Sequence, residues 1–426
     1  MAVPTTIYPT AEREVFIVKE ATPATIPSGI GVAVPLTTFK PSDKPMWLDD
    51  TSWQGNMGDL QGVYQGPLIG GLDIGGDVFG DVLGHFVYNL MGDYTCSGTS
   101  ATPTTTLNGG VSAGASSITL AAGTSVTANM YMQVGTGITA EIVQINSIAS
   151  SPTFTLINPL RFSHLTGVAV TNTTAPYTHV FSLLNGLTGA ANGSGQGPTH
   201  TITDVTGIPA TDFARQYAYS CVQELTFTGN AEKLTGWTAK TINQTGVIAG
   251  SVEAVAAPSS VQPIPSWEAV TGVGGAASGG TLVKDIGEYE FTLTRAIKPY
   301  FTNQGAQTPY VIARGKQGAT GKLTFAPAIS EAPLIALLAN TQPQLQFVVS
   351  NGLSGANLVS VQVDIGLAAY ETADLQDGDE LFGYEVPFKC VHTAASITGA
   401  QGSSMTGASG GKGCIKITLQ NAIPTY

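Results

Sequence analysis

The stretch DVFGDVLGHFVYNLMG, Asp77 to Gly92, decides the fold class, because it is a helix signature in a chain that otherwise reads as β-strand. Phe79, Val82, Leu83, Phe86 and Leu90 recur at three- to four-residue spacing, which puts them on one face of a helix. Asp77 stands where a cap accepts orphan amides, and Gly92 where a helix ends in the left-handed region. The pattern predicts one amphipathic helix lying on one sheet.

Working outward, the segments on either side are short runs of Val, Ile, Thr, Leu and Phe between Gly, Pro, Asn and Ser. Residues 1 to about 66 carry Pro4, Pro9, Pro23, Pro27, Pro35, Pro41 and Pro45 among strand-like runs such as Val15 to Val18. Proline cannot donate to a central ladder, so this part reads as an arm on edges or away from its own core. Its Trp47 and Trp53 have two readings: buried indoles anchoring a covering loop, or contacts to a neighbouring subunit, where Trp is enriched.

Residues from about 104 to 175 read as a self-contained inserted β-domain with almost no charge beyond Glu141, Arg161 and His164. No second His, Cys or carboxylate lies near His164 at ligand spacing, so it is read as a structural hydrogen-bonding residue. Strands resume at Tyr177, with a loop from Thr188 to Pro198. A second helix is expected from Ser330 to Thr341, Ser330 capping it and Leu334, Leu337 and Leu338 forming its apolar face. Two strand sets, each with one helix, hint at an internal duplication.

The whole chain has 426 residues, 42% of them hydrophobic, and only 11% charged. An ordinary soluble protein has about 25% charged residues, so much of this surface is neutral or covered by contacts. The net charge is −12 and no cluster of Lys or Arg stands out, which argues against tight nucleic-acid binding. Two glutamates and Pro4 and Pro9 stand where a secretory signal needs an apolar run, and no stretch approaches a membrane span. Cys96, Cys221, Cys390 and Cys414 are far apart without C-x-x-C spacing, and are expected to be free thiols of a protein made in a cytoplasm.

Catalytic and cofactor motifs do not emerge. The five histidines are scattered outside any H-E-x-x-H or nucleophile-elbow context, and GASGGKG (407–413) lacks the spacing of a phosphate loop. No catalytic residue, cofactor or metal ligand is therefore expected. The one dense charge group is ETADLQDGDE, in which Glu371, Asp374, Asp377, Asp379 and Glu380 read as a solvated acidic loop rather than a calcium site.

Taken in order, GGDVFGDVLGHFVYNLMG (75–92), YTHVFSLLNG (177–186), PTHTITD (198–204), RQYAYSCVQELTFTGN (215–230), TPYVIARGKQGATGKLTF (308–325) and ITLQNAIPTY (417–426) resemble the major tail tube protein of long-tailed, siphovirus-type bacteriophages. The resemblance implies a mainly β tube-type sandwich or barrel with one or two flanking helices. It divides the chain into an arm and first part of the tube domain (1–103), an inserted β-domain on the tube exterior (104–175) and the rest of the tube domain with a last strand (176–426). It further implies six subunits per ring and rings stacked into a conduit for DNA ejection, in a virion tail built with tape-measure, terminator and distal tail or baseplate proteins. DNA would pass without specific binding, repelled by an acidic wall to which the 371–380 loop is the candidate contributor, or that loop would lie between rings. The alternatives are a secreted or cell-surface, S-layer-like adhesin and a capsid decoration protein.

Overall fold

The computed structural model describes residues 10–27, 31–55, 57–123, 125–128, 130–136, 139–157, 159–184, 196–206, 213–249, 261–277, 282–303, 305–325, 332–353, 358–377, 382–392, 405, 407 and 413–426. The fold is mainly β, with two helices among the described residues, as the strand-rich sequence predicts. Most of the expected loop at Thr188 to Pro198, and Ser330, lie outside the described residues.

Two large antiparallel sheets make up the body. The first runs from Arg13–Lys19 through His200–Thr206, Phe213–Asn230, Ile286–Tyr300 and Val311–Phe325 to Phe382–Cys390. The Phe213–Asn230 strand is long enough to pair with His200–Thr206 over one half and with both Gly236–Asn243 and Ile286–Tyr300 over the other. Gly236–Asn243 then carries the hairpin of Gly62–Asp77 and Thr38–Asp50. The second sheet runs from Val270–Val273 through Leu345–Ser350, Ser360–Ile365 and Ile415–Asn421 to Ala169–Leu183, which also pairs with Gly92–Thr106.

The first helix, α1 (Leu83–Met91), is shorter than the sequence predicts. Asp77 is no cap: it is the last residue of the Gly62–Asp77 strand, opposite Gly236, and its carbonyl accepts the Trp237 indole N–H at 3.0 Å. Pairing with Gly236–Asn243 thus outcompetes local capping. The chain turns at Phe79, whose carbonyl accepts the amides of Val82 and Leu83, and Val82 precedes the helix without a side-chain cap. The other end follows the sequence: Gly92 has φ 85° and its amide bonds the Tyr88 carbonyl.

Nor does α1 lie on one sheet. Eight of its nine residues are buried, Tyr88 excepted, and it packs against Phe213–Asn230 of the first sheet and against Gly92–Thr106 and Ala169–Leu183 of the second. A helix covered all round sits inside a core. Gly84 makes this approach possible, since a Cβ there would lie 2.2 Å from the Tyr426 ring.

The N-terminal segment also departs from the arm reading. Val15 to Val18 are buried in the Arg13–Lys19 strand, which pairs along its length with His200–Thr206 and contributes to the core. The edges in this segment are the short Val32–Ala33 strand and the Thr38–Asp50 strand, and the latter holds Pro41 and Pro45. The second helix, α2 (Ala332–Leu338), buries Pro333; of the expected leucine face Leu334 and Leu337 are half-buried and Leu338 is exposed, as is Ile335.

The topology repeats. A long hairpin (Thr38–Asp50 and Gly62–Asp77) leads into α1 and the paired strands Gly92–Thr106 and Ala169–Leu183. A second long hairpin (Ile286–Tyr300 and Val311–Phe325) leads into α2 and the paired strands Leu345–Ser350 and Ser360–Ile365. In each unit a later strand returns to the hairpin: Gly236–Asn243 to the first, Phe382–Cys390 to the second.

Three histidines are locked neutral by this packing. Burial pushes His85 down to about 3 and His179 to about 4 from an ordinary 6.5, and holds His200 well below it. The unfolded chain therefore binds protons that the fold excludes. The stabilisation is full above pH 6.5 and is lost as pH falls towards 4, with a slope of about 1.4 kcal/mol per pH unit for each histidine. Urea midpoints taken between pH 7 and pH 4 should fall accordingly, and His85→Gln should flatten the fall.

Candidate assembly surface

The surface with the most unusual chemistry is the tip of the first hairpin. In its stem Leu72 and Ile74 are buried, but Met46, Trp47, Leu48, Trp53, Met57, Leu60, Val63 and Tyr64 are all exposed. Trp47 is 60% and Trp53 100% exposed, so the reading of two buried indoles fails. The local sequence accounts for this. Met46, Trp47 and Leu48 are consecutive, and successive strand residues point to opposite faces, so apolar groups cover both faces of the ribbon. A single body can bury only one of them.

The tip is ordered by its own hydrogen bonds. The Gln61 amide donates to the Asp50 carbonyl at 2.8 Å, the Ser52 amide to Asp50 Oδ1 at 2.9 Å, and Trp47 lies opposite Gln65 after a register shift at Pro45. The second hairpin supports it: the Leu68 amide donates to the Gln307 carbonyl at 2.8 Å, and Gln307 Nε2 to the Gln65 carbonyl at 3.1 Å. Tyr300 and Tyr310, flanking that second turn, are exposed as well. The two hairpins therefore present neighbouring apolar and aromatic groups.

The acidic segment is not one loop. Asp374–Asp377 is a strand paired with Phe382–Cys390, Asp374 accepts the Thr372 hydroxyl at 2.9 Å, and Glu371 forms an ion pair with Lys389. Asp379 and Glu380 lie outside the described residues. Among the described residues no group of three or more His, Cys, Asp or Glu is placed to hold a metal ion, and no helix is long and apolar enough to cross a membrane.

His164 has a partner that sequence spacing did not reveal. Its Nε2 lies 2.8 Å from Glu141 Oε1, and Glu141 also accepts the amides of Arg161 at 2.7 Å and Phe162 at 3.1 Å. All of this is buried, beside a separate hydrophobic cluster that includes Leu107, Ile118, Phe154 and Val170. Arg161 in turn pairs with Asp81 at 2.6 Å, tying this cluster to the turn before α1. Arg295 and Arg314 were likewise unmarked in the sequence. Arg295 donates to the Leu90 carbonyl at 2.8 Å, and Arg314 to Asn89 Oδ1 at 2.9 Å and to the Pro198 carbonyl at 2.7 Å, which places two cations at the C-terminal end of α1.

No known family model matches the chain, and a search of curated proteins finds no match.

Glu141→Ala would leave His164 and two buried amides without their acceptor, a loss on the order of 3 kcal/mol. Hydrogen exchange should accelerate at the Arg161 and Phe162 amides while amides of the Phe213–Asn230 strand keep their protection. Uniform acceleration across both regions would mean that the two clusters unfold as one.

Proposed function

We propose that the chain is a self-assembling structural protein, the major tube subunit of a long-tailed phage tail, whose stacked rings form the conduit for DNA. The observation that carries this reading is the ordered hairpin tip with eight exposed large apolar side chains on a chain of low charge. An exposed apolar patch of this kind marks a contact surface, and Trp47 and Trp53 are the residues assigned to the contact between copies. The mainly β fold, the repeated hairpin and helix units and the order of the tail-tube-like segments support the same reading. The proposed partners are further copies of the chain and the tape-measure, terminator and distal tail proteins. DNA is a passenger, kept from sticking by a net charge of −12 per copy.

The resemblance implies six subunits per ring. Because each chain carries two hairpin and helix units, three chains already supply six units, and the mass of a single ring separates the two counts.

Electron microscopy of concentrated protein tests the proposal: hollow tubes are expected, and monomers at every concentration would favour the adhesin or decoration readings. Replacing residues 51–61 by a two-residue Asn-Gly turn removes Trp53, Met57 and Leu60 from a segment whose described residues between 51 and 60 are exposed. Thermal unfolding should stay within a few degrees of the parent while tube formation is lost. Tubes of normal length from this variant would remove the hairpin from the assembly contact.

The segment proposed to decorate the tube exterior can be tested in the same assay. Thr106 pairs directly with Ala169, so a short turn can join the two strands once residues 107–168 are removed. With Asp81→Asn added, to avoid a buried carboxylate without Arg161, the shortened chain should still form tubes of smaller outer diameter. Loss of folding would show that the segment is integral to the body.

A further inference from the structure

The fold brings together two cysteines that are 24 residues apart in the chain and belong to different sheets. Cys390 ends the Phe382–Cys390 strand of the first sheet, opposite Ala368. Cys414 immediately precedes the Ile415–Asn421 strand of the second, and its carbonyl accepts the Gly366 amide at 2.9 Å. The Val391 amide donates to the Leu367 carbonyl at 3.0 Å, so the corner at Gly366 and Leu367 holds both cysteine backbones. Across it the side chains of Cys390 and Cys414 face each other, and Cys414 Sγ lies 3.2 Å from Nε2 of the exposed His392. All four cysteines are unbridged in this structure.

We propose that Cys390, Cys414 and His392 form a peroxide-sensitive dithiol site, in which Cys414 is the attacking sulfur, Cys390 the resolving thiol and the product a disulfide that staples the two sheets. The electrostatics match these roles. Hydrogen bonds from Cys390 and His392 pull Cys414 down to about 6 from the ordinary thiol value of 9, while Cys390 is held well above that value and keeps its proton. The two sulfurs are thus unlike, Cys414 the more acidic with His392 beside it and Cys390 the less, an asymmetry that favours oxidation at one and condensation by the other. Cys221, buried in the first sheet and pushed up to about 11, and Cys96, raised above 9, have no such activation.

The chemistry balances. The Cys414 thiolate attacks one oxygen of hydrogen peroxide and breaks the O–O bond, giving a sulfenic acid and a hydroxide that takes a proton to become water. The Cys390 sulfur then attacks the Cys414 sulfur; the S–O bond breaks, and the departing hydroxide takes the Cys390 proton and leaves as a second water. Two thiols lose two electrons and two hydrogens, and one peroxide becomes two waters.

The test uses the full chain. The protein is exposed to dilute hydrogen peroxide at pH 7, quenched by alkylation under denaturing conditions and mapped by peptide mass spectrometry. Alkylatable thiols should fall from four to two, with Cys390 and Cys414 joined in one chain, the yield independent of protein concentration, and reversal by a dithiol reductant. The reaction at Cys414 should be about tenfold or more faster than at Cys96, from its greater thiolate fraction. Oxidation confined to Cys96, or to disulfides between chains, overturns the proposal, as does continued full alkylation of Cys390 and Cys414. Two variants separate the roles: Cys390→Ser should stop the reaction at a dimedone-reactive Cys414, and His392→Gln should move the pH midpoint of Cys414 alkylation upwards from about 6. An unchanged midpoint would remove His392 from the site.

Discussion

The structure depends on keeping one short helix dry. Residues Leu83–Met91 lie between the two sheets with only Tyr88 partly exposed, so the buried polar groups of the helix depend on the protein for partners. Asn89 shows how tightly this is done. Its amide nitrogen donates to the Ser220 carbonyl at 2.9 Å and lies 2.8 Å from His200 Nδ1, and its oxygen accepts the Val222 amide and the Arg314 guanidinium. At the helix end, Arg295 binds the carbonyls of Leu90 and Met91, the second of which also accepts the Leu184 amide. Burial lowers Arg295 to about 10, still far above neutrality, so the charge that faces the helix dipole persists. The other end is closed by Asn421, whose side chain donates to the Gly80 carbonyl at 2.7 Å and to the Tyr426 hydroxyl at 2.6 Å. Residues from five distant segments thus converge on the helix and the turn before it.

That convergence sets what the sequence could disclose. The helix was legible because its apolar spacing and Gly92 are local signals, and the strands because β-branched runs alternate with turn residues. Its start was not legible: Asp77 is a good cap in isolation, and only pairing with Gly236, 159 positions on, makes it the end of a strand. The Val15 to Val18 run was assigned to an arm because of the prolines around it, yet its partner is His200–Thr206, beyond the reach of any local pattern. The same limit hid Glu141 from His164 and Cys390 from Cys414. Each pair joins a strand residue to one outside the named strands, and no local pattern links the two.

At Trp47 and Trp53 the difficulty was of another kind. An apolar run on a strand is read as core, because one chain in water gains by burying it. Here the Met46-Trp47-Leu48 run is apolar on both faces, and among the described residues it stays exposed on both. Chain and sequence pattern are reconciled when the covering surface belongs to another molecule. The exposed Ile335 and Leu338 of α2 and the aromatic Tyr300 and Tyr310 of the second hairpin extend the same logic to the second unit. A low content of charge, hazardous for an isolated monomer, suits a subunit whose surface is largely spent on neighbours.

The edge of the first hairpin shows how such a surface can be adhesive without being indiscriminate. Thr38–Asp50 pairs on one side with Gly62–Asp77, and among the described residues no strand pairs with its other side. A 13-residue edge strand with an unbroken row of donors would template any passing strand. Pro41 and Pro45 each remove a donor from this strand, and the register shift after Pro45 breaks its regularity just where the apolar run begins. Lys40, Lys44, Asp43, Asp49 and Asp50 add charge along the same strand. Backbone pairing is thereby weakened along the stem, while the side chains of Trp47, Leu48 and Trp53 stay available at the tip. In the proposed tube, specificity then comes from shape and aromatic contact at the tip instead of from strand addition, because only a surface with complementary apolar pockets takes these side chains fully out of water.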